Sequence, residues 1–191
     1  MNEPKLMFMK RITIYGILLL MALTMQAQTS AKAKERVAEV RKLYAAAKER
    51  MAQNDREENP ARSGMETTFY YMVPGAGPTK HHIHYYFGEE ESDEGETTGF
   101  TPYFITVSYN VAARNFYEEY LIDEKTEKLI FAYYHAPEFD GSKSETRYYY
   151  YKDGEVAHQD VKGENYHDAV FSTRLVHDFL EAFHHILHVD Y

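Results

Sequence analysis

Histidine is the residue type in this chain whose number and spacing could do chemistry. The chain of 191 residues contains ten histidines. In a helix, His184 and His188 lie one turn apart and His177 lies two turns before His184, so the three share a face with Glu181 beside them. Imidazole pairs at this spacing chelate divalent metals, and zinc is the favoured ion. The His-Glu-x-x-His order of helical zinc hydrolases is not met, and histidines also suit the negative end of a helix. A zinc site on this helix is therefore an alternative hypothesis.

Two other segments carry metal-ligand residue types. His82 and His84 alternate on a predicted strand, so they share a face and could join a mixed site if their hairpin lay beside the C-terminal helix. Six carboxylates fall within the eight residues 89–96. Calcium takes oxygen ligands, but the ligand order of an EF-hand loop is not met, and the segment is interpreted as a solvated loop. No cofactor is predicted, with zinc and calcium as the alternatives.

The remaining composition favours a binding protein over an enzyme. The chain has no cysteine, which excludes disulfides, thiol catalysis and thiolate metal sites. No Gly-x-Ser-x-Gly nucleophile motif is present, and the Gly-rich segment 74–78 lacks the spacing of a phosphate-binding loop. Carboxylate pairs are frequent, but sequence spacing cannot select two that face one cleft. An enzyme is therefore not excluded, and a hydrolase built on two carboxylates in a cleft is a further alternative.

Short apolar and aromatic runs separated by turns predict an antiparallel meander. Asp153-Gly154 between two such runs is a strong hairpin signal, because both central residues of a type I′ turn need positive φ. Residues 30–54 and 166–188 carry apolar positions at three-and-four spacing, which predicts a helix at each end. The predicted fold is α+β: an N-terminal helix, a curved antiparallel meander of about seven strands and a C-terminal amphipathic helix. The predicted strands are 65–73, 80–87, 104–109, 116–122, 129–134, 146–152 and 155–162.

Tyrosine is abundant, with 18 Tyr beside 11 Phe, and strand alternation puts aromatic residues on both faces of the predicted sheet. We expect one face to hold both helices and the other to present a band of tyrosines, with Arg147 paired to Glu118 or Glu119 across strands. Tyrosine suits recognition surfaces because it offers a large area, few rotors and one polar tip. A self-covered sheet and a subunit interface are the alternatives. The predicted binding residues are Tyr117, Tyr134, Arg147, Tyr149 and Tyr151.

The first residues have the layout of an export signal. Lys10 and Arg11 precede an apolar run over residues 12–23, and Ala27 offers a small residue at a cleavage site. Signal-peptide apolar regions span about 7–15 residues, whereas a membrane-crossing helix needs about 20. We therefore expect residues 1–27 to be a cleaved signal peptide and residues 28–191 to be one domain, periplasmic or secreted, with no membrane span after cleavage. An uncleaved anchor is the alternative.

The charge balance argues against polyanionic partners. The leader carries three cations and one anion, so its removal lowers the formal net charge from −9 to −11. Nucleic acid and anionic lipid need basic patches, so nucleic acid is not an expected partner.

The segment SYNVAARNFYEEYLID, residues 108–123, resembles a group of uncharacterised exported bacterial proteins. The resemblance continues through residues 129–131 and 147–150 to Asp153-Gly154, and it includes residues 37–51 and Asn59-Pro60. It covers most of the chain after the leader, and its motifs are structural. It implies an exported domain and no particular activity.

The leading hypothesis is an exported, non-enzymatic module that binds an unknown protein or glycan through the tyrosine-rich face or a cleft beside the C-terminal helix. A homodimer is compatible with the same face. The alternative is a divalent-metal-dependent protein that uses the C-terminal histidines.

Overall fold

The computed structural model describes residues 30–54, 64–91, 93, 95, 97–138 and 140–187, with the backbone alone at positions 90 and 91. These residues form two helices, α1 over residues 30–54 and α2 over Ala169–Leu187, and one sheet of seven strands. The strands are β1 (Gly64–Val73), β2 (Gly77–Glu91), β3 (Thr97–Val111), β4 (Arg114–Ile122), β5 (Leu129–Pro137), β6 (Lys143–Tyr150) and β7 (Val156–Lys162).

The sheet is the predicted meander. Its strands follow one another in chain order, β1 to β7, and every neighbouring pair is antiparallel. The strands β2 and β3 are longer than predicted, because they pair beyond Gly88 into the segment interpreted as an acidic loop. The α+β fold class and both helices are confirmed.

The tightest hairpin lies at a place that the turn residues did not predict. Val111 pairs with Arg114, so only Ala112 and Ala113 connect β3 to β4. Both alanines have positive φ, 49° and 64°, as a type I′ turn requires. Left-handed backbone costs a residue with a Cβ atom roughly 1–2 kcal/mol, so this turn is strained.

The predicted Asp153-Gly154 hairpin forms, but its turn differs from the predicted type I′. Of the two residues only Gly154 has positive φ, 94°. Its amide donates to the carbonyl of Tyr151, and the Tyr151 amide donates to Glu155. The three residues between these two partners match a type I turn followed by a left-handed glycine, the usual three-residue hairpin connection.

The two helices cover opposite faces of the sheet. On one face Val40, Ala47 and Met51 of α1 pack against a cluster that includes Phe104 and Phe131. On the other face Val176, Leu180 and Phe183 of α2 pack against a cluster that includes Ile105 and Tyr120. The expectation that one face holds both helices is therefore wrong. The physical reason is the sequence pattern itself: strands with apolar residues on both faces need cover on both sides.

A polar contact joins the first helix to the far end of the meander. Arg36, 7% exposed, donates from Nε to the main-chain carbonyl of Tyr150 on β6 at 2.6 Å. At the other end of α1, Asn54 donates to the hydroxyl of Tyr103 on β3 at 3.2 Å. The helix thus crosses the sheet from β6 to β3.

Among the described helices, none combines the length and the apolar character that crossing a membrane would require.

Candidate functional site

Three of the predicted binding residues lie on the sheet face that α1 covers: Tyr117 on β4, and Arg147 and Tyr149 on β6. Tyr151 follows β6, with the Lys32 amine of α1 lying 4.8 Å from its ring centre. Tyr134 is on the opposite face, 5% exposed, and its hydroxyl donates to Ser172 of α2 at 2.7 Å. Tyr134 therefore does not share a surface with the other predicted residues.

The register explains the position of Tyr134. Arg147 pairs with Tyr133 across β5 and β6, and Tyr134 pairs with Thr146. A shift of one residue turns a side chain to the other face of a sheet. Tyr133 therefore lies beside Arg147, whereas the prediction grouped Tyr134 with Arg147 as binding residues of one surface.

A groove of about 380 Å³ lies between α1 and strands β4, β5 and β6. We call it the α1 groove. Two of the predicted binding residues, Arg147 and Tyr149, line this groove, whereas the predicted cleft was beside the C-terminal helix. Its lining residues are Val40, Arg41, Tyr44, Glu119, Phe131, Tyr133, Arg147 and Tyr149.

Aromatic rings form the walls of the α1 groove. Tyr44 of α1 meets Phe131 edge to face, with ring centres 5.2 Å apart, and Phe131 lies 5.1 Å from Tyr149. Tyr149 is 4% exposed, whereas Tyr133 is half-buried and open to the groove. Such walls offer a large apolar area that a ligand can contact, and the packed rings lose little further freedom when it binds.

The polar wall of the groove is a buried carboxylate. Glu119, 4% exposed, accepts hydrogen bonds from the Tyr44 hydroxyl, from Lys48 Nζ at 2.9 Å and from the Tyr117 hydroxyl at 2.8 Å. A buried charge needs partners of this kind, and here Lys48 also supplies the opposite charge. The predicted pairing of Arg147 with Glu118 or Glu119 does not form: Arg147 pairs with Glu145 on its own strand and with Asp160 on β7, and the cation at Glu119 is Lys48 of α1.

Both tyrosines bonded to Glu119 stay protonated near neutral pH. Burial raises the pKa of Tyr44, and so do the hydrogen bond to Glu119 and its charge. Burial also raises the pKa of Tyr117, together with the charge of Glu119. These hydroxyls are therefore hydrogen-bond donors in the folded protein, and neither is suited to exchange a proton in a general acid–base reaction at pH 7.

Two arginines flank the groove and differ in how their charges are used. Arg147 Nη2 lies 2.9 Å from Glu145 Oε2, and the guanidinium lies 5.0 Å from the ring centre of Tyr133. This hydrogen bond lowers the pKa of Glu145. Arg41 is exposed, lies 6.0 Å from the Tyr149 ring centre and makes no ion pair with any described carboxylate. Arg41 is therefore the cation at this groove that can meet an anionic ligand.

The predicted metal residues are spread along α2. His177 Nδ1 lies 3.8 Å from Glu181 Oε1, and Asp178 joins them in an exposed group whose ligand atoms lie within 4.8 Å of one another. His184 Nε2 lies 2.7 Å from Glu127 Oε1 in the β4–β5 turn. Seven helical residues rise about 10 Å, so sharing a face does not bring His177 and His184 to one ion. His188 lies outside the described residues, and the zinc site stays a prediction.

The two other segments with metal-ligand residue types do not form a site with α2 in the described residues. His82 and His84 lie near Glu66 of β1, at 3.2 Å and 3.4 Å, on the sheet face that α1 covers. A mixed site with α2 is excluded, because α2 is on the opposite face. The calcium alternative rests on the acidic residues 89–96, of which the side chains of Glu89 and Asp93 alone are described.

The residues that sequence reasoning missed come from α1. Arg41, Tyr44 and Lys48 sit three to four residues apart, which places them along one side of the helix. The sequence shows this spacing, but it does not show that this side of the helix borders a groove with β4, β5 and β6.

No protein-family model matches the chain, and no curated protein and no solved structure is significantly similar to it. The α1 groove is therefore the feature from which a function has to be argued.

Proposed function

We propose that this protein is a binding module and that the α1 groove takes a small organic anion with an aromatic body. The observation that carries the proposal is Arg41, an exposed cation without a described carboxylate partner at a groove walled by aromatic rings. The volume of the α1 groove, about 380 Å³, is near the lower end of the range for small-molecule sites.

The wall chemistry supports an aromatic ligand body. Tyr44, Phe131 and Tyr149 already contact one another in edge-to-face and tilted arrangements, and Tyr133 leaves part of its ring open. A planar aromatic group can join such a cluster through the same geometry. An aliphatic chain would gain burial without these oriented contacts.

The charges support an anionic head group. Glu119 and Glu145 are each bonded to a cation, Lys48 and Arg147, so neither repels an incoming carboxylate as a free charge would. Arg41 can then form a charge-assisted bidentate pair with the ligand.

Binding fits this groove better than catalysis. Glu119, the buried carboxylate of the groove, accepts hydrogen bonds from three donors, and the two tyrosine hydroxyls among them keep their protons at neutral pH. A catalytic acid or base works best with a pKa near the working pH.

The test uses phenylacetate and its neutral amide, phenylacetamide, as matched probes in titrations of residues 28–191 followed by NMR. We expect phenylacetate to shift signals of the groove aromatics and to bind more tightly than the amide. Losing a hydrogen bond to a charged group costs roughly 1.5–3 kcal/mol, so Arg41→Gln should weaken phenylacetate binding about 10- to 100-fold.

Lys42→Gln is the control, because Lys42 is the next residue on α1, is exposed and does not line the groove. It removes the same charge from the same helix and should leave the affinity unchanged. Equal affinity for acid and amide, equal losses in both variants, or shifts confined to residues away from the groove would contradict the proposal.

We further propose that the module acts outside the cytoplasm. Support comes from the leader at residues 1–27, whose basic start, short apolar run and Ala27 fit a cleavable signal peptide. N-terminal sequencing of the protein recovered from its native cell tests this: a start at Gln28 is expected, and a start within the first ten residues would contradict cleavage.

A further inference from the structure

The strand β1 is an open edge of the sheet. It runs for ten residues, Gly64–Val73, and pairs with β2 along its whole length without a shift in register. In the described part of the chain no strand pairs with its other side. Its second half is the most exposed apolar segment of the sheet: Phe69, Tyr70, Tyr71 and Met72 are 39%, 72%, 45% and 69% exposed.

Among the described residues, this edge lacks the features that usually prevent strands from pairing. Natural edges are short, charged, bulged or covered, because unpaired backbone groups attract other strands. The opposite edge, β7, has seven residues, carries Asp160 and Lys162 and has a register shift at its pairing with β6. By contrast, the one charged residue of β1 is Glu66, which lies beside His82 and His84.

A row of aromatic rings runs across the sheet and ends at this edge. Phe69 stacks on His81 at 5.1 Å, His81 on Tyr109 at 4.4 Å, and Tyr109 on Phe116 at 5.0 Å, one ring on each of β1 to β4. The ring spacing is close to the distance between neighbouring strands, about 4.7–4.9 Å. A strand added to β1 with a ring opposite Phe69 would continue the row.

We propose that β1 pairs with β1 of a second copy of this chain, antiparallel and about a two-fold axis at Phe69. In this register each residue faces the one at an equal distance on the other side of Phe69, so Thr68 faces Tyr70 and Glu66 faces Met72. The two Phe69 rings meet at the axis, and the aromatic row runs unbroken from Phe116 of one copy to Phe116 of the other.

A second copy fits the edge in charge as well as in shape. The self-pairing brings no two like charges together, because Glu66 is the only charged residue of β1 and does not face itself. Two residues that face one another in this pairing are an even number of positions apart, so their side chains point to the same face of the joined sheet. Each face of one copy therefore continues into the same face of the other copy. One strand edge buries less than a standard interface of about 800 Å² per partner, so the dimer should be of moderate affinity and concentration-dependent.

The first experiment is sedimentation equilibrium of residues 28–191 over a concentration series. We expect a reversible monomer–dimer equilibrium that Phe69→Lys and Tyr70→Lys each shift at least tenfold towards monomer, because a lysine on an edge opposes strand addition. Val161→Lys, at a residue of similar exposure on β7, is the control and should leave the equilibrium unchanged. Tyr70 is 72% exposed, so its substitution tests the edge without disturbing the core.

The second experiment measures the register. The chain has no cysteine, so an introduced thiol is the only one present. Residue 69 lies on the proposed axis. In the Phe69→Cys variant the two cysteines of the dimer should form a disulfide under mild oxidation, since the Cα atoms of two directly paired residues are within disulfide reach. In this register Thr67 faces Tyr71 of the second copy. The two cysteines of Thr67→Cys would be on the same face but four residues apart along the strand, roughly 13 Å, and should stay reduced.

A protein that remains monomeric at the highest soluble concentration overturns the inference, whatever other strand the edge then binds. A dimer unaffected by either lysine on β1, or equal crosslinking of the two cysteine variants, overturns it too. The fold is monitored by circular dichroism, and Tyr70→Lys decides the outcome if Phe69→Lys is unfolded.

Discussion

Two neighbouring carboxylates on β4 show how single residues hold this sheet between its helices. Glu118 and Glu119 are each 4% exposed and point to opposite faces. Glu119 accepts bonds from Tyr44, Lys48 and Tyr117 on one face, as described above. Glu118 accepts bonds from the Tyr109 and Tyr120 hydroxyls on the other, with His167 Nε2 at 3.3 Å. Burying a carboxylate is costly unless it is hydrogen-bonded, so these tyrosines serve the sheet as donors as well as packing area.

We expect His81 to make the stability of the protein depend on pH. It stands in the aromatic row between Phe69 and Tyr109, with Tyr71 Oη 2.8 Å from its Nε2, and burial lowers its pKa while the charge of Glu118 opposes that shift. The unfolded chain therefore takes up a proton near pH 6.5 that the folded chain does not yet bind. The stability due to neutral His81 is complete above pH 6.5 and is lost as the pH falls below it.

We expect His81→Phe, which keeps a ring in the row, to have a flatter dependence of unfolding free energy on pH between 7 and 5 than the parent protein. Urea titrations at pH 7, 6 and 5 measure it. His158→Gln removes an exposed histidine on β7 and serves as the control. If the unfolding free energies of the parent and of His81→Phe fall equally between pH 7 and 5, His81 does not contribute to the pH dependence.

At the scale of elements, the β3–β4 turn is the connection with the clearest mismatch between residue type and backbone. Ala112 and Ala113 both occupy left-handed conformations that asparagine and glycine adopt more readily. The double variant Ala112→Asn/Ala113→Gly should raise the unfolding free energy by about 1–2 kcal/mol, because relief of backbone strain exceeds the added freedom of glycine in the unfolded chain. Urea unfolding measures the gain.

The matched substitution is Gly154→Ala in the β6–β7 hairpin, where φ is 94° and a Cβ atom meets no other side chain. It should lower stability by about 1–2 kcal/mol through backbone strain alone. The double variant could leave the unfolding free energy unchanged while Gly154→Ala lowers it by this amount. In that case other contacts already offset the backbone strain of the β3–β4 turn, and the strain argument is wrong for that turn.

The sequence predicted the elements far better than the site. The runs around Phe131 and Tyr149 and the turns between them were enough to predict seven strands in chain order, because each hairpin is specified locally. The faces were not predictable in the same way. The pairing of β5 with its two neighbouring strands sets which of its residues share a face with Glu119 and Arg147: both pair with Tyr133, and no local pattern in β5 announces this. Tyr133 and not Tyr134 therefore lies in the groove, and the contribution of α1 to the groove depends on packing between residues far apart in sequence.

At the scale of the whole molecule, we expect the two-sided cover of a tyrosine-rich sheet to make the fold sensitive to alkali. Burial raises the pKa of Tyr85 and of Tyr150 to about 12, from an ordinary value of 10. Between these values the unfolded chain has lost protons that the folded chain keeps. The stability that these hydroxyls contribute is therefore complete below pH 10 and is lost as the pH rises through 12.

We expect unfolding above pH 10 to be cooperative, with tyrosinate absorbance rising together with the loss of circular dichroism. Tyr85→Phe removes one buried ionisable hydroxyl and should reduce the loss of stability over this interval. Tyr70→Phe removes an exposed one and should not. Tyrosinate formation that is complete before the ellipticity changes would contradict coupling between ionisation and unfolding.

The bond from Arg36 to the carbonyl of Tyr150 joins residues 114 positions apart in the chain, whereas each hairpin joins neighbouring segments. Each hairpin can form on the preceding one as the polypeptide emerges, because consecutive strands are partners and the loops to be closed are short. The first helix is made before any strand, and its apolar stripe packs on residues of five strands, from Tyr86 on β2 and Phe104 on β3 to Tyr149 on β6. We therefore expect a chain arrested before β3 to carry an undocked amphipathic segment at its front end, and such a segment is prone to aggregate.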